Sequence, residues 1–520
     1  MTLKPETLYF RGAELIDGTG APPRRAGVLV GEGKILGFPG AAPPGARTVA
    51  AEGRWLVPGF VDVHSHSDFW LLRDGGAEGK ILQGVTTEVV GNCGSSAFPL
   101  AGERLRRVRD QNPDLDPDFR DLAGYRRALS EGGIAVNLAS FTGQGNLRGS
   151  VVGYAARPAA AAERRRMLGL LEASFEEGSR GISTGMPYPP GAYTPGDELV
   201  EVLAATGRAE RLWSTHLASE SDRLLESLEA SISLAERCGV RLLVSHLKAG
   251  GRSNWEKLPR ALEAIATARD RGLRVACDRY PYTAGCTDLD ILLPAWAWEG
   301  GEAAELERLR DPLARRRLAE AVGEKDWDNV VVASAPGPDE DRLRGRSLAS
   351  LASERGSAPV ETLLDLLVER ELRVEAYFFG MSEENMDLVL SSPFCFVASD
   401  ASARPLLPGA GEGAPHPRAF GTFSRFLERY VFSGRLAPQE AIARMTSGPA
   451  AWAGLQDRGR LLPGGPADLV LLDPRRFRDR ADYDRPRRPP RGIDLVMVNG
   501  VTVAQEGKCT GARPGRFLGE

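Results

Sequence analysis

Trp55-Leu-Val-Pro-Gly-Phe-Val-Asp-Val-His64-Ser-His66 is a short apolar, β-branched run that ends in two histidines. Such a run reads as a buried strand. Side chains alternate along a strand, so His64 and His66 point the same way at its C-terminal end. Two imidazoles converging on one point make half a site for zinc, nickel, iron or manganese. Three residues are a weak motif, and an ordinary pair of strand-end histidines fits them as well.

Working outward, strand-like runs recur through the middle of the chain. They are Val57–His64, Thr86–Val90, Ile134–Ser140, Gly181–Ser183, Leu212–His216, Arg241–His246, Arg274–Asp278 and Phe394–Ser399. Segments with helical periodicity lie between several of them, for example Pro158–Glu177 and Ser221–Arg237. Alternation of this kind means a parallel sheet, and eight strands predict a (β/α)8 TIM-like barrel over residues 56–440. The charged stretch 299–350 breaks the rhythm and is expected to be an inserted lid over one barrel mouth. The two ends are turn-rich and strand-like, as in Ala26-Gly-Val-Leu-Val and Ala467-Asp-Leu-Val-Leu-Leu-Asp. They predict one small β-sandwich domain built from residues 1–55 and 441–520.

A hydrophobic content of 42% with 26% charged residues is that of an ordinary globular protein, and the net charge of −4 gives no reason to expect nucleic acid or an anionic membrane as partner. Met1-Thr-Leu-Lys-Pro-Glu lacks the basic start and apolar core of a secretion signal, so a cytoplasmic location is expected. Six scattered cysteines without a C-x-x-C argue against a disulfide framework.

Several strand runs end in a residue able to bind metal. Gly91-Asn92-Cys93-Gly94 follows Thr86–Val90, Trp213-Ser-Thr-His216 and Leu242-Leu-Val-Ser-His246 end in histidine, and Phe396-Val-Ala-Ser-Asp400 ends in a carboxylate. The C-terminal strand ends of a parallel barrel share one rim. His64, His66, Cys93, His216, His246 and Asp400 are therefore expected to face one pocket.

At this point the chain resembles the N-acyl-D-amino-acid deacylases (D-aminoacylases) of the metal-dependent amidohydrolase superfamily. The resemblance rests on Gly59-Phe-Val-Asp-Val-His-Ser-His-Ser-Asp68, Gly84-Val-Thr-Thr-Glu-Val-Val-Gly-Asn-Cys-Gly94 and Ile182-Ser-Thr-Gly-Met-Pro-Tyr-Pro-Pro-Gly191. Further matches are Ser245-His-Leu-Lys-Ala-Gly250, Asp278-Arg-Tyr-Pro-Tyr-Thr-Ala-Gly285, Ser399-Asp400 and His416-Pro-Arg-Ala-Phe-Gly-Thr-Phe423. It implies a zinc ion held by Cys93, His216 and His246, with His64 and His66 supplying a second, weaker position. It implies hydrolysis of the linear amide of N-acyl-D-amino acids, with Asp400 as general acid and base. Lys248 and Arg418 would clamp the substrate carboxylate, Tyr282 would donate a hydrogen bond to the substrate, and Tyr188 would line the substrate site.

Two positions depart from the family pattern: Ala218 stands where an arginine is common and Gln144 where a histidine is common. They bear on substrate fine-tuning. The stretch Thr283–Trp298, which in the family lies beside the substrate side chain, has no lysine or arginine. An acidic side chain buried there would be unpaired, so apolar N-acyl-D-amino acids are the expected substrates. Two other readings stay open. A cyclic-amide hydrolase such as a hydantoinase or dihydroorotase would share barrel and metals but normally uses a bridging lysine. A non-catalytic scaffold of the same fold would have no use for the intact polar set.

Overall fold

The computed structural model describes residues 7–409 and 413–519. The Met1–Glu6 stretch read above for a secretion signal lies outside them.

Eight staves form the barrel. They are β1 (Phe60–Asp62), β2 (Val85–Val90), β3 in two pieces (Asn137–Ser140 and Thr142–Gly143), β4 (Gly181–Gly185), β5 (Leu212–His216), β6 (Arg241–Val244), β7 (Val275–Arg279) and β8 (Cys395–Val397). Neighbours pair in parallel from β1 to β3 and from β3 to β8. A parallel bridge between Ser65 and Ala401 joins the last stave to the first, with the Asp400 amide donating to the His64 carbonyl at 2.9 Å. Val61, Val89, Ala139, Leu212, Leu243, Ala276 and Phe396 fill the interior as one apolar cluster. Their strand neighbours Trp213, Leu242, Val275 and Cys395 pack outward against the helices. Burial on both faces explains why these staves read as unbroken apolar runs. The helix Leu224–Cys238 shows the complementary pattern, burying Leu224, Leu228, Ser231, Ile232 and Ala235 before Gly239 ends it at φ 64°.

The opening run divides in two. Trp55–Pro58 joins the terminal sheet, antiparallel to Leu469–Leu472, while Phe60–Asp62 enters the barrel. Gly59 makes the transition because a Cβ there would lie 2.0 Å from the Thr86 hydroxyl. The terminal sheet has nine strands drawn from both ends of the chain. Its strand Lys34–Gly37 returns to bridge Pro466, wrapping the sheet around its own core of Phe10, Leu15, Val30, Leu56, Leu469 and Met497.

Two expected boundaries shift. The helix Pro438–Met445 buries Ala441, Ile442 and Met445 in the core shared with the barrel, so the barrel runs past residue 440. The inserted unit is wider than 299–350, since Ala284–Asp288, Val330–Ser334 and Glu375–Phe379 form one antiparallel sheet. Leu289, Trp327, Val332, Leu363, Leu367 and Ala376 give it a core of its own.

Candidate active site and metal centre

The C-terminal rim of the barrel opens into a cavity of about 910 Å³ lined by His66, Cys93, His216, His246, Asp400 and Arg418 among others. The Cys93 sulfur lies 3.3 Å from His64 Nε2 and 3.6 Å from His246 Nε2. Donors of a tetrahedral zinc site, at its usual Zn–S and Zn–N lengths, lie about 3.5 Å apart. Donor atoms of His64, Cys93, His246 and Asp400 all fall within 4.8 Å of one another, and so do those of His216, Glu220 and His246. His216 Nδ1 is buried without a hydrogen-bond partner. A soft thiol, converging imidazoles and an orphaned buried nitrogen fit zinc. Three of these residues adopt left-handed backbone, Cys93 at φ 51°, His246 at 36° and Asp400 at 51°. Such conformations cost non-glycine residues on the order of 1 kcal/mol each, and they cluster at functional sites. At β6 the reason is visible. Strict alternation from inward-facing Leu243 would bring Ser245 to the interior, and the turn at His246 re-aims the imidazole.

Carboxylates behind the cluster fix the imidazoles. Both Asp278 oxygens lie 3.2 Å from His64 Nδ1, and one of them accepts the His246 amide at 2.8 Å. Glu220 Oε1 lies 2.8 Å from His246 Nδ1, and Oε2 lies 3.3 Å from His216 Nε2. Accepting the Nδ1 protons of His64 and His246 turns their Nε2 atoms toward Cys93. Burial alone would raise the Cys93 thiol, but the charge of His64 and hydrogen bonds to His216 and His246 hold it well below its usual range. Burial would likewise lower His216, yet Glu220 and Cys93 push it up to about 9. His66 reaches about 9 against its own burial because Asp400 and Cys93 flank it. Asp400 resists a burial that favours its neutral form, and Arg418, His246 and His64 hold it well below the carboxylate range.

A model of the amidohydrolase family (Amidohydro_3) matches residues 47–504. The chain belongs to the amidohydrolase family. Among curated relatives, the N-acyl-D-glutamate deacylase of Alcaligenes xylosoxydans xylosoxydans is 33% identical over 98% of this chain and 96% of its own. The D-aminoacylase of the same organism is 33% identical over 99% of this chain and 98% of its own. Among solved structures, N-acyl-D-glutamate deacylase from Bordetella bronchiseptica, complexed with zinc and a phosphonate mimic of the tetrahedral intermediate, superposes with a TM-score of 0.81. It is 31% identical, with 100% of each chain covered.

In this amidohydrolase the remaining expected residues divide. Tyr188 lines the cavity, edge-on to His216 with ring centroids 5.1 Å apart. Arg418 also lines it, with Nη1 2.8 Å from Asp400 Oδ2 and Nε buried without a partner. Lys248 is already engaged, its Nζ 2.6 Å from Glu220 Oε1 and 2.8 Å from His246 Nδ1. It also lines the cavity, and an ammonium has three N–H donors. Tyr282 is turned away from the cavity, its hydroxyl donating to the Pro417 carbonyl at 3.4 Å. Tyr280 lies at the cavity instead: its ring is fully buried, it lines the cavity, and its hydroxyl has no partner. Ala218 lines the cavity, whereas Gln144 binds the Thr194 hydroxyl instead. Glu220 and Asp278 were missed as orienting groups. The signals were a carboxylate four residues after His216 and the first residue of the Asp278-Arg-Tyr motif.

Proposed function

We propose that this amidohydrolase cleaves the linear amide of N-acyl-D-amino acids, giving a carboxylate and a free D-amino acid, with zinc as cofactor. The observation that carries the reading is the Cys93 sulfur 3.3 Å from His64 Nε2 and 3.6 Å from His246 Nε2, grouped with Asp400. Relatives named as N-acyl-D-glutamate deacylase and D-aminoacylase support it over nearly the full chain. Cys93, His216 and His246 would hold the tight ion and His64 with His66 the weaker one. Bound zinc supplies Lewis-acid activation of water and of the amide carbonyl.

The chain's own groups do the rest. Asp400, ionised at neutral pH, takes a proton from the attacking water and returns it to the leaving nitrogen, which is a poor leaving group until protonated. His66 Nε2, 3.1 Å from Asp400 Oδ1, orients that carboxylate from one side and Arg418 from the other. The unused Nε–H of Arg418 and the free hydroxyl of Tyr280 are donors for the substrate α-carboxylate. The proposed partners are thus small-molecule N-acyl-D-amino acids, and six unbridged cysteines support a cytoplasmic location.

Purified, zinc-loaded enzyme assayed on the D and L forms of N-acetyl-leucine, -methionine, -phenylalanine and -glutamate tests the reading. D-selective release of the amino acid is expected, slowest on the glutamate derivative. Turnover of hydantoins with none of linear amides would replace this reading with that of a cyclic-amide hydrolase.

A further inference from the structure

One wall of the cavity sets two carboxyl side chains side by side. The lid strands Ala284–Asp288 and Glu375–Phe379 pair in a register that sets Asp288 directly opposite Glu375. Residues so opposed share a face, and like charges there destabilise a ladder. Both line the cavity. Cys286, two residues back on the same face, lines the same cavity. The charges acting on Asp288 are those of Asp290, Glu375 and Glu302, all of one sign.

A second feature marks where a ligand's polar group docks. The Tyr280 hydroxyl is buried, lines the cavity and has no partner, and it lies 3.7 Å from where a Cβ on Gly285 would stand. Gly285 and Asp288 are three residues apart on one strand, roughly 10 Å. An extended lysine or arginine covers that distance when its α-carboxylate is held near Tyr280 and Arg418. Ile291, Leu292 and Phe378 line the same cavity and offer an apolar bed for the methylene stem. The stretch Thr283–Trp298, which lacks lysine and arginine, itself carries Asp288 and Asp290.

We propose that Asp288 and Glu375 are specificity-determining residues that receive the cationic head of a long basic side chain, so that N-acyl-D-lysine and N-acyl-D-arginine are preferred substrates. The proposal rests on the deacylase reading above and replaces the apolar side-chain preference expected from the sequence. The relatives named for glutamate differ in the charge they accept, and this wall would repel an acidic side chain.

Comparing kcat/KM for N-acetyl-D-lysine, -arginine, -norleucine, -leucine and -glutamate on zinc-loaded enzyme tests it, because norleucine keeps the stem and removes the charge. The lysine derivative is expected to exceed norleucine about tenfold, as two partly solvated ion pairs supply, and to lose most of that advantage at about 0.5 M salt. The double variant Asp288→Asn, Glu375→Gln should bring the lysine-to-norleucine ratio to about one. Norleucine matching or exceeding lysine in the native enzyme, or a ratio unchanged in the variant, overturns the proposal while the deacylase reading stands. No turnover of any of the five overturns that reading and the proposal with it.

Discussion

At the scale of single residues, the chemistry turns on where polar atoms are left unpaired. Tyr280 and Tyr282 occupy one short motif, yet only Tyr280 presents a free hydroxyl to the cavity, while Tyr282 is spent on the Pro417 carbonyl. Tyr280→Phe is therefore expected to lower kcat/KM on an N-acyl-D-amino acid by roughly 10- to 100-fold, the value of a hydrogen bond to a charged group. Tyr282→Phe should stay within about threefold of the native enzyme. Steady-state kinetics of both variants checks the pair, and the reverse order would return Tyr282 to the site. The sequence offered Tyr282 from this motif and the structure brings Tyr280 to the cavity, because alternation along a strand stops being a guide once the strand has ended: β7 finishes at Arg279. The same limit hid the engagement of Lys248, since its partner Glu220 comes from a different stave. The structure brings together the thiol, the four histidines and Asp400, which the sequence placed at or just past the ends of staves whose apolar runs are unmistakable.

At the scale of elements, two buried networks hold the rim and the lid. Lys80, fully buried, donates to Asp62 Oδ2 at 2.6 Å, the Ser399 hydroxyl at 2.8 Å and the Ala401 carbonyl at 2.8 Å. It ties β1 to the turn that carries Asp400. Lys80→Met would leave Asp62 as an unpaired buried charge, costing about 3–5 kcal/mol. Denaturant unfolding should show that loss, and a loss below about 1 kcal/mol would mean the network is dispensable. In the lid, Glu305 is 3% exposed and pushed up to about 9 by burial, Asp290 and Glu302. The folded state then keeps a proton that the unfolded chain releases near pH 4.5. The contribution of Glu305 to stability falls as pH rises from there toward about 9, by up to about 1.4 kcal/mol per unit. Glu305→Gln should match the native enzyme near pH 5 and melt several degrees higher near pH 8. Equal melting temperatures at both pH values would contradict the assignment. None of this was readable in the stretch 299–350, which looks like a plain charged insertion. Its apolar partners lie outside it, at Leu289, Leu363 and Ala376, and only the folded chain brings them together.

At the scale of the whole molecule, the eight staves and the shared terminal sheet were visible in outline because parallel strands buried on both faces leave apolar runs that helices punctuate. Domain edges were less visible, since a helix such as Pro438–Met445 declares its allegiance only through what its apolar face meets. The barrel's purpose is to bring residues from four distant staves within a few ångströms: Cys93 after β2, His216 on β5, His246 after β6 and Asp400 after β8. Everything proposed about catalysis depends on a cysteine thiolate serving as a zinc ligand at that meeting point. Zinc K-edge X-ray absorption on the purified, zinc-loaded enzyme tests this most directly. The account predicts a single sulfur scatterer at about 2.3 Å alongside nitrogen and oxygen donors near 2.0–2.1 Å. A zinc shell of nitrogen and oxygen alone would contradict it.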